Sequence, residues 1–228
     1  MQRVLVTRAE PGAGETAERL RALGFEPVLT PSLRIAPEPH DPDLARDAWA
    51  LAFTSAAGAR AWRGRTDAPA FAVGDATAAA LRARGFADVR SAAGDGADLA
   101  AAIIAARPVG AIAHVRGVDV AFDLAAELSP LGIAVTPIIV YRAEPDRTPL
   151  DSGLSGATAA LFHSPAGART FVERVRAGAA TDSLRGLRAI CLSEAVAQAL
   201  AGTTWKSIEI ADAPTEIALL ARLTAAQG

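Results

Sequence analysis

The sequence contains itself twice. Val4-Leu5-Val6-Thr7-Arg8 aligns with Ile112-Ala113-His114-Val115-Arg116, and at the same spacing LRALGF (20–25) aligns with LSPLGI (128–133). One residue of drift later, LAFTSAAGARAW (51–62) matches ALFHSPAGARTF (160–171), which pairs Ser55 with Ser164 and Gly58-Ala59-Arg60 with Gly167-Ala168-Arg169. AVGDATAAAL (72–81) then matches CLSEAVAQAL (191–200), and Asp98-Leu99 falls near Glu216-Ile217 in the last helix of each copy. Alanine-rich amphipathic helices resemble one another, but that does not explain why the strand-to-helix junctions match too. An internal duplication limits the fold to two copies of one supersecondary pattern.

Each copy reads as alternating strands and helices. In the first, strands are predicted at Arg3–Thr7, Phe25–Thr30, Leu51–Phe53, Ala70–Val73 and around Val89. Helices are predicted at Gly14–Leu23, Ser55–Arg63, Asp75–Arg84 and Gly96–Ala106, with Gly24 and Gly85 as stop signals. The second copy repeats this, with strands near Ala111–Val115, Ile133–Tyr141, Ala159–Phe162, Ala189–Leu192 and Ser207–Ile210. Continuous apolar strands alternating with helices imply parallel sheets covered on both faces. The Pro-rich stretches Thr30–Pro42 and Arg142–Pro149 occupy equivalent places in the two copies and are the linker candidates. Because both fall after the first β-α-β of a copy, the copies are expected to be intertwined between domains.

A formal net charge of −2 argues against a general nucleic-acid or membrane-surface binder. The single cysteine, Cys191, leaves no disulfide framework and no cysteine-based zinc site; placed within a strand, it reads as an inert buried thiol. The charged start MQRVLVTRAE lacks the apolar core of a signal peptide, and no apolar run approaches the ~18 residues of a membrane span. The expectation is a cytoplasmic chain.

Ligands of open parallel sheets sit beyond the carboxyl ends of the strands. Here those ends carry Thr7-Arg8, Thr54-Ser55, Gly74-Asp75, Arg116-Gly117, His163-Ser164 and Ser193-Glu194. Individually most read as helix N-caps. Together they would line a rim with free amides, hydroxyls and two arginines, which suits carboxylates or phosphates. Gly12-Ala13-Gly14 imitates a dinucleotide loop, but it lies five residues past the strand end and no acid ends the next strand, so it reads as a loop and helix start. There is no Walker loop and no G-x-S-x-G elbow, and His40, His114 and His163 are far apart, so packing or a rim contact is expected of the last two rather than metal binding. Trp49, Trp62 and Trp205 match core positions. Tyr141, the only tyrosine, ends an apolar run and abuts the second linker; it reads either as core or as a hydrogen-bond donor facing a cleft.

In order, the blocks VLVTRAE…LRALGFEPVLTPSL (4–33), LAFTSAAGARAW (51–62), FAVGDATAAALRARGF (71–86), HVRG (114–117), the Leu128–Arg142 segment, ALFHSPAGARTF (160–171) and PTEIALLARL (214–223) resemble the uroporphyrinogen-III synthases over nearly the whole chain. Cys191-Leu192-Ser193-Glu194 departs from the Ile-Gly-x-x-Thr pattern of the resembled family, whereas Val73-Gly74-Asp75-Ala76-Thr77 follows it. The resemblance implies an α/β fold of two flavodoxin- or Rossmann-like parallel-sheet domains joined by two strands, one domain holding 1–35 and 145–228 and the other 36–144. It implies a cyclising, dehydrating lyase. Linear hydroxymethylbilane, a tetrapyrrole polycarboxylate, is closed with inversion of its last ring to uroporphyrinogen III, without cofactor or metal. Thr7, Arg8, Ser55, Gly74, Thr77, Arg116, Gly117, Ser164 and Ser193 are then the candidate substrate-binding residues, and Tyr141 matches the family's candidate proton donor. The expected protein is a monomer with a small-molecule substrate and neither nucleic-acid nor membrane partners. A two-domain sensor or binding module for an anionic metabolite shares the duplication and the rim, and stands as the alternative.

Overall fold

The computed structural model describes residues 1–10, 12–150 and 154–225. The first copy of the repeat runs β1 (Arg3–Val6), α1 (Gly12–Ala22), β2 (Glu26–Leu29), β3 (Leu33–Pro37), β4 (Ala50–Phe53), α2 (Ala56–Ala61), β5 (Ala70–Ala72), α3 (Asp75–Ala83), β6 (Val89–Ser91) and α4 (Gly96–Ala105). The second runs β7 (Ile112–Gly117), α5 (Leu124–Leu128), β8 (Val135–Pro145), β9 (Ala157–Phe162), α6 (Pro165–Ala177), β10 (Arg188–Cys191), α7 (Glu194–Gln198), β11 (Ser207–Ile210) and α8 (Glu216–Thr224). Two compact units result: Met1–Arg34 with Glu144–Gly228, and Ile35–Ala143.

Among the described residues, one sheet has the order β11-β10-β9-β1-β2, and the other β6-β5-β4-β7-β8 with β3 outside β8. Apart from β3 every pairing is parallel. The two orders are the same order. In each sheet the first two strands of one copy lie beside the last three of the other, so the duplication is intertwined. Read from β2 or from β8, the arrangement is the doubly wound 2-1-3-4-5 order, whose direction reverses between β1 and β9 in one unit and between β7 and β4 in the other.

Alternation along the central strands explains the two-faced core. In the first unit, Leu5, Ala160 and Phe162 pack with Phe171, Val175 and Trp205, while Val4, Val6 and Leu161 pack with Leu20, Leu219 and Leu223 on the opposite face. In the second, Leu51, Phe53 and Val115 meet Trp62, Leu81 and Phe86, and Ala50, Ala52, Phe71 and Ile112 meet Leu99, Ile103 and Leu128. Trp62 and Trp205 belong to these cores; Trp49 lies half-buried at the edge of one. The turn after the first helix of each copy needs the same backbone twice: Gly24 and Gly132 are left-handed, at φ +82° and +78°, a conformation open to glycine without steric cost.

Two element boundaries differ from the sequence reading, the start of the first helix and the end of the strand at Tyr141. The dinucleotide-like glycines are helix, since α1 begins at Gly12. The two linker candidates are strands, as the resemblance implied: Thr30–Pro42 contains β3, and the strand predicted to stop at Tyr141 runs on to Pro145. Extended backbone there lets the two crossings pair antiparallel, with Glu38 N–H donating to Val140 O and Asp146 N–H to Ser32 O, both at 2.9 Å. Proline interrupts a ladder only where its missing N–H is needed, and edge positions tolerate it.

Candidate active site

In the second unit, β4 delivers Thr54 and Ser55 and β7 delivers Arg116 and Gly117 to the carboxyl edge at the switch point. The Ser55 Oγ caps α2 by accepting from Gly58 N at 3.0 Å. β8 brings Tyr141 into register with Gly117, across an irregularity after Arg116. The Tyr141 hydroxyl then lies 2.9 Å from Ser55 Oγ. Room for the ring comes from glycine: a Cβ on Gly117 would lie 2.7 Å from Tyr141 Cζ and 3.0 Å from its hydroxyl oxygen, and one on Gly58 would lie 3.7 Å from Cε1. Behind the rim, Thr54 Oγ1 meets Nε2 of the buried His114 at 3.2 Å. Burial, reinforced by Arg116, pushes the His114 pKa down to about 4, so the ring is neutral near pH 7. Arg116 folds back, donating to Gly117 O and Val118 O at 3.0 and 2.8 Å. Gly74 begins α3 with no side chain and open space beside its Cα. Thr77, one turn on, is buried.

In the first unit, β1 and β9 end at the equivalent switch point. Thr7 is buried and spends its hydroxyl on Leu161 O at 2.7 Å. Ser164 caps α6, accepting from Gly167 N at 3.1 Å. Arg8 lies over Gly12 and donates to Glu216 Oε2 at 3.0 Å and, more weakly, to Thr16 Oγ1 at 3.4 Å. Arg19 also donates to Glu216, at 2.6 Å. Sequence reasoning missed Glu216 as the partner of a rim arginine. Its only trace was the PTEI block, which carries Glu216 at the start of α8. Ser193 begins α7 with φ −157° and ψ 168°, close to the −159° and 177° of Gly74, and makes no side-chain cap bond. Its N-cap reading is therefore corrected: the backbone is that of a cap, but the hydroxyl does not close it. Cys191 is buried in β10 and its thiol is pushed up to about 12, chiefly by burial, which removes it as a nucleophile.

The structure thus assembles Ser55, Gly117 and Tyr141 into one cluster and leaves Thr7, Arg8, Ser164 and Ser193 on the rim of the other unit. Among the described residues, no group of three or more His, Cys, Asp or Glu could hold a metal ion, and no helix is long and apolar enough to cross a membrane.

Replacing Gly117 with alanine is expected to push the Tyr141 ring off Ser55, since a Cβ contact of 2.7 Å does not occur in real structures. The overpacking should cost roughly 1 kcal/mol or somewhat more. Because Tyr141 is the only tyrosine, a single ring-labelled NMR signal reports its environment directly. An unmoved tyrosine signal in Gly117→Ala would contradict the crowding.

Two doubly wound α/β units with polar strand ends gathered at their switch points define a small-ligand-binding or catalytic protein. The sequence profile described as Uroporphyrinogen-III synthase HemD matches residues 14–221. The chain belongs to the uroporphyrinogen-III synthase family, a family of cyclising lyases in tetrapyrrole biosynthesis. The fold agrees with that assignment. A uroporphyrinogen-III synthetase from Helicobacter pylori superposes with a TM-score of 0.68 at 17% identity, covering 100% of both chains. A mutant uroporphyrinogen III synthase from the extremely thermophilic bacterium Thermus thermophilus superposes with a TM-score of 0.56 at 18% identity, covering 99% of this chain and 98% of that one. Among curated proteins, none matches the chain.

Proposed function

We propose that Tyr141 supplies the proton that leaves with the hydroxyl of hydroxymethylbilane while the chain closes it to uroporphyrinogen III. The observation that carries this reading is the Tyr141 hydroxyl held 2.9 Å from Ser55 Oγ at a switch point, the edge where such sheets bind ligands. The chemistry asks little more of side chains. A pyrrole nitrogen's own electron pair expels the hydroxyl, which takes up a proton and departs as water. The inverted ring must then meet its partner, so the remaining work is positioning.

The substrate's acetates and propionates need hydrogen-bond donors rather than a large net charge. Arg8, Ser55, Gly74, Arg116, Gly117, Ser164 and Ser193 are the positions we assign to them, through backbone N–H groups at the helix starts as much as through side chains. Thr7 and Thr77 are buried, and in this reading they shape the rim from behind. Arg8 and Arg116, paired at present with Glu216 and with loop carbonyls, exchange those partners for substrate carboxylates. We further propose that the folding domains are 1–35 with 145–228 and 36–144, supported by the two compact units, and that the enzyme works as a cytoplasmic monomer.

The test is an assay of the purified protein with hydroxymethylbilane that resolves type III from type I uroporphyrinogen. Enzyme-dependent formation of the type III isomer is expected. Formation of the type I isomer alone, at the rate seen without protein, would overturn the reading.

A further inference from the structure

Among the described residues, His163 is the one whose two ring nitrogens are both buried without a hydrogen-bond partner. It follows β9 directly and precedes Ser164, the N-cap of the thirteen-residue helix α6. A neutral imidazole carries one N–H donor and one bare nitrogen acceptor, and burying either unpaired is destabilising. Native structures rarely leave such a group idle.

The repeat shows what is missing. The equivalent residue in the other copy, Thr54, bonds to His114 on the neighbouring strand. The residue equivalent to His114 is Val6, which has nothing to offer an imidazole. Ser164 Oγ accepts from Gly167 N and Thr7 Oγ1 donates to Leu161 O, and neither hydroxyl bonds the His163 ring. Burial, and after it the charge of Arg8, keeps the imidazole neutral. A neighbouring guanidinium disfavours a cation as the absent partner and favours an anion. The free amides at the start of α6 favour the same sign.

We propose that His163 is a specificity-determining residue that donates a ring N–H to one acid side chain of the substrate, alongside Arg8 and the start of α6. This rests on the reading of the chain as a uroporphyrinogen-III synthase acting on a polycarboxylate. Half a turn of the ring about Cβ–Cγ exchanges Nδ1 with Cδ2 and Nε2 with Cε1, so the donor can reorient without backbone movement. An unpaired ring costs the folded state stability, a cost that binding residues often carry.

His163→Phe removes both nitrogens and keeps a flat ring. It is expected to raise KM for hydroxymethylbilane about tenfold, the effect of losing one charge-assisted hydrogen bond, with kcat within about twofold of the parent. Its unfolding temperature should equal or exceed that of the parent, because an unpaired polar group has gone. His163→Thr, which writes in the residue of the other copy, should show the same KM effect. An unchanged KM in both variants, with type III product still formed by the parent, would overturn this inference and leave the assigned activity standing, the ring's partner then being an ordered water. A rise in KM accompanied by a fall in unfolding temperature in both variants would likewise overturn it, as the mark of a structural role. Failure of the parent itself to form type III product removes the underlying reading. In the unaltered protein, the imidazole 15N signals of His163 should move when uroporphyrin III, the oxidised product with the same acid groups, is titrated in. Unmoved signals at saturating uroporphyrin III would count against the proposal.

Discussion

Tyr141→Phe is expected to lower turnover by about tenfold, and by no more than ~10²-fold, while the protein stays folded. The substitution deletes one hydroxyl and keeps the ring that packs between Gly58 and Gly117, so the shape of the site survives. One hydrogen bond to Ser55 is lost, typically about 1 kcal/mol, and Ser55 retains its bond from Gly58 N. The fall in rate stays at the small end because the substrate nitrogen drives departure of the hydroxyl and water can replace the donor. Steady-state kinetics with hydroxymethylbilane beside chemical denaturation of both proteins decide the matter. An unchanged rate returns Tyr141 to a packing role. Complete loss with an intact fold would mean that a side chain, not positioning, carries the reaction. By the same reasoning, single substitutions at Arg8, Ser55, Arg116 or Ser164 should give partial losses, since many donors share the carboxylates.

The largest effect on stability is expected at Arg174, which lies on α6 and is 6% exposed. Its guanidinium donates to Pro31 O at 2.6 Å and to Thr148 O at 2.7 Å, and Asp146 approaches it at 4.0 Å. Pro31 leads into β3, and Asp146 and Thr148 follow β8, so one side chain ties down the roots of both crossings. Burial lowers its pKa and Asp146 opposes that, but guanidinium stays charged at any working pH. Arg174→Met keeps an aliphatic stem of similar reach and takes the donor from both carbonyls, that of the half-buried Pro31 and that of the exposed Thr148. The expected loss is about 3 kcal/mol, from two charge-assisted hydrogen bonds. Arg174→Lys, with one compact donor group in place of a fork, should lose about half as much. Urea titrations of the three proteins measure this; a loss below about 1 kcal/mol in Arg174→Met would show that solvent replaces the guanidinium.

Local signals made much of this molecule legible before any tertiary contact was known. The apolar runs at Val4–Val6, Leu51–Phe53 and Ala159–Phe162 are central strands because only strands buried on both faces dispense with polar alternation. Ser55 and Ser164 cap their helices as their position before an alanine-glycine helix start implies, and Gly24 and Gly132 end theirs. Each of these depends on neighbours a few residues away. The repeat supplied the two-copy pattern, and the equivalent placement of Thr30–Pro42 and Arg142–Pro149 after the first β-α-β of each copy implied the sharing of sheets between copies. The tertiary structure decided the pairs that lie far apart: Ser55 with Tyr141 across 86 residues, Pro31 with Arg174 across 143, and Arg8 with Glu216 across 208. It also decided that Ser193 leaves its cap open and that, among the described residues, His163 has no hydrogen-bond partner. No local preference encodes such facts. They follow from strand order and register, which are set when whole faces of a sheet are buried at once, and a side chain meets its partner only after that burial has placed both.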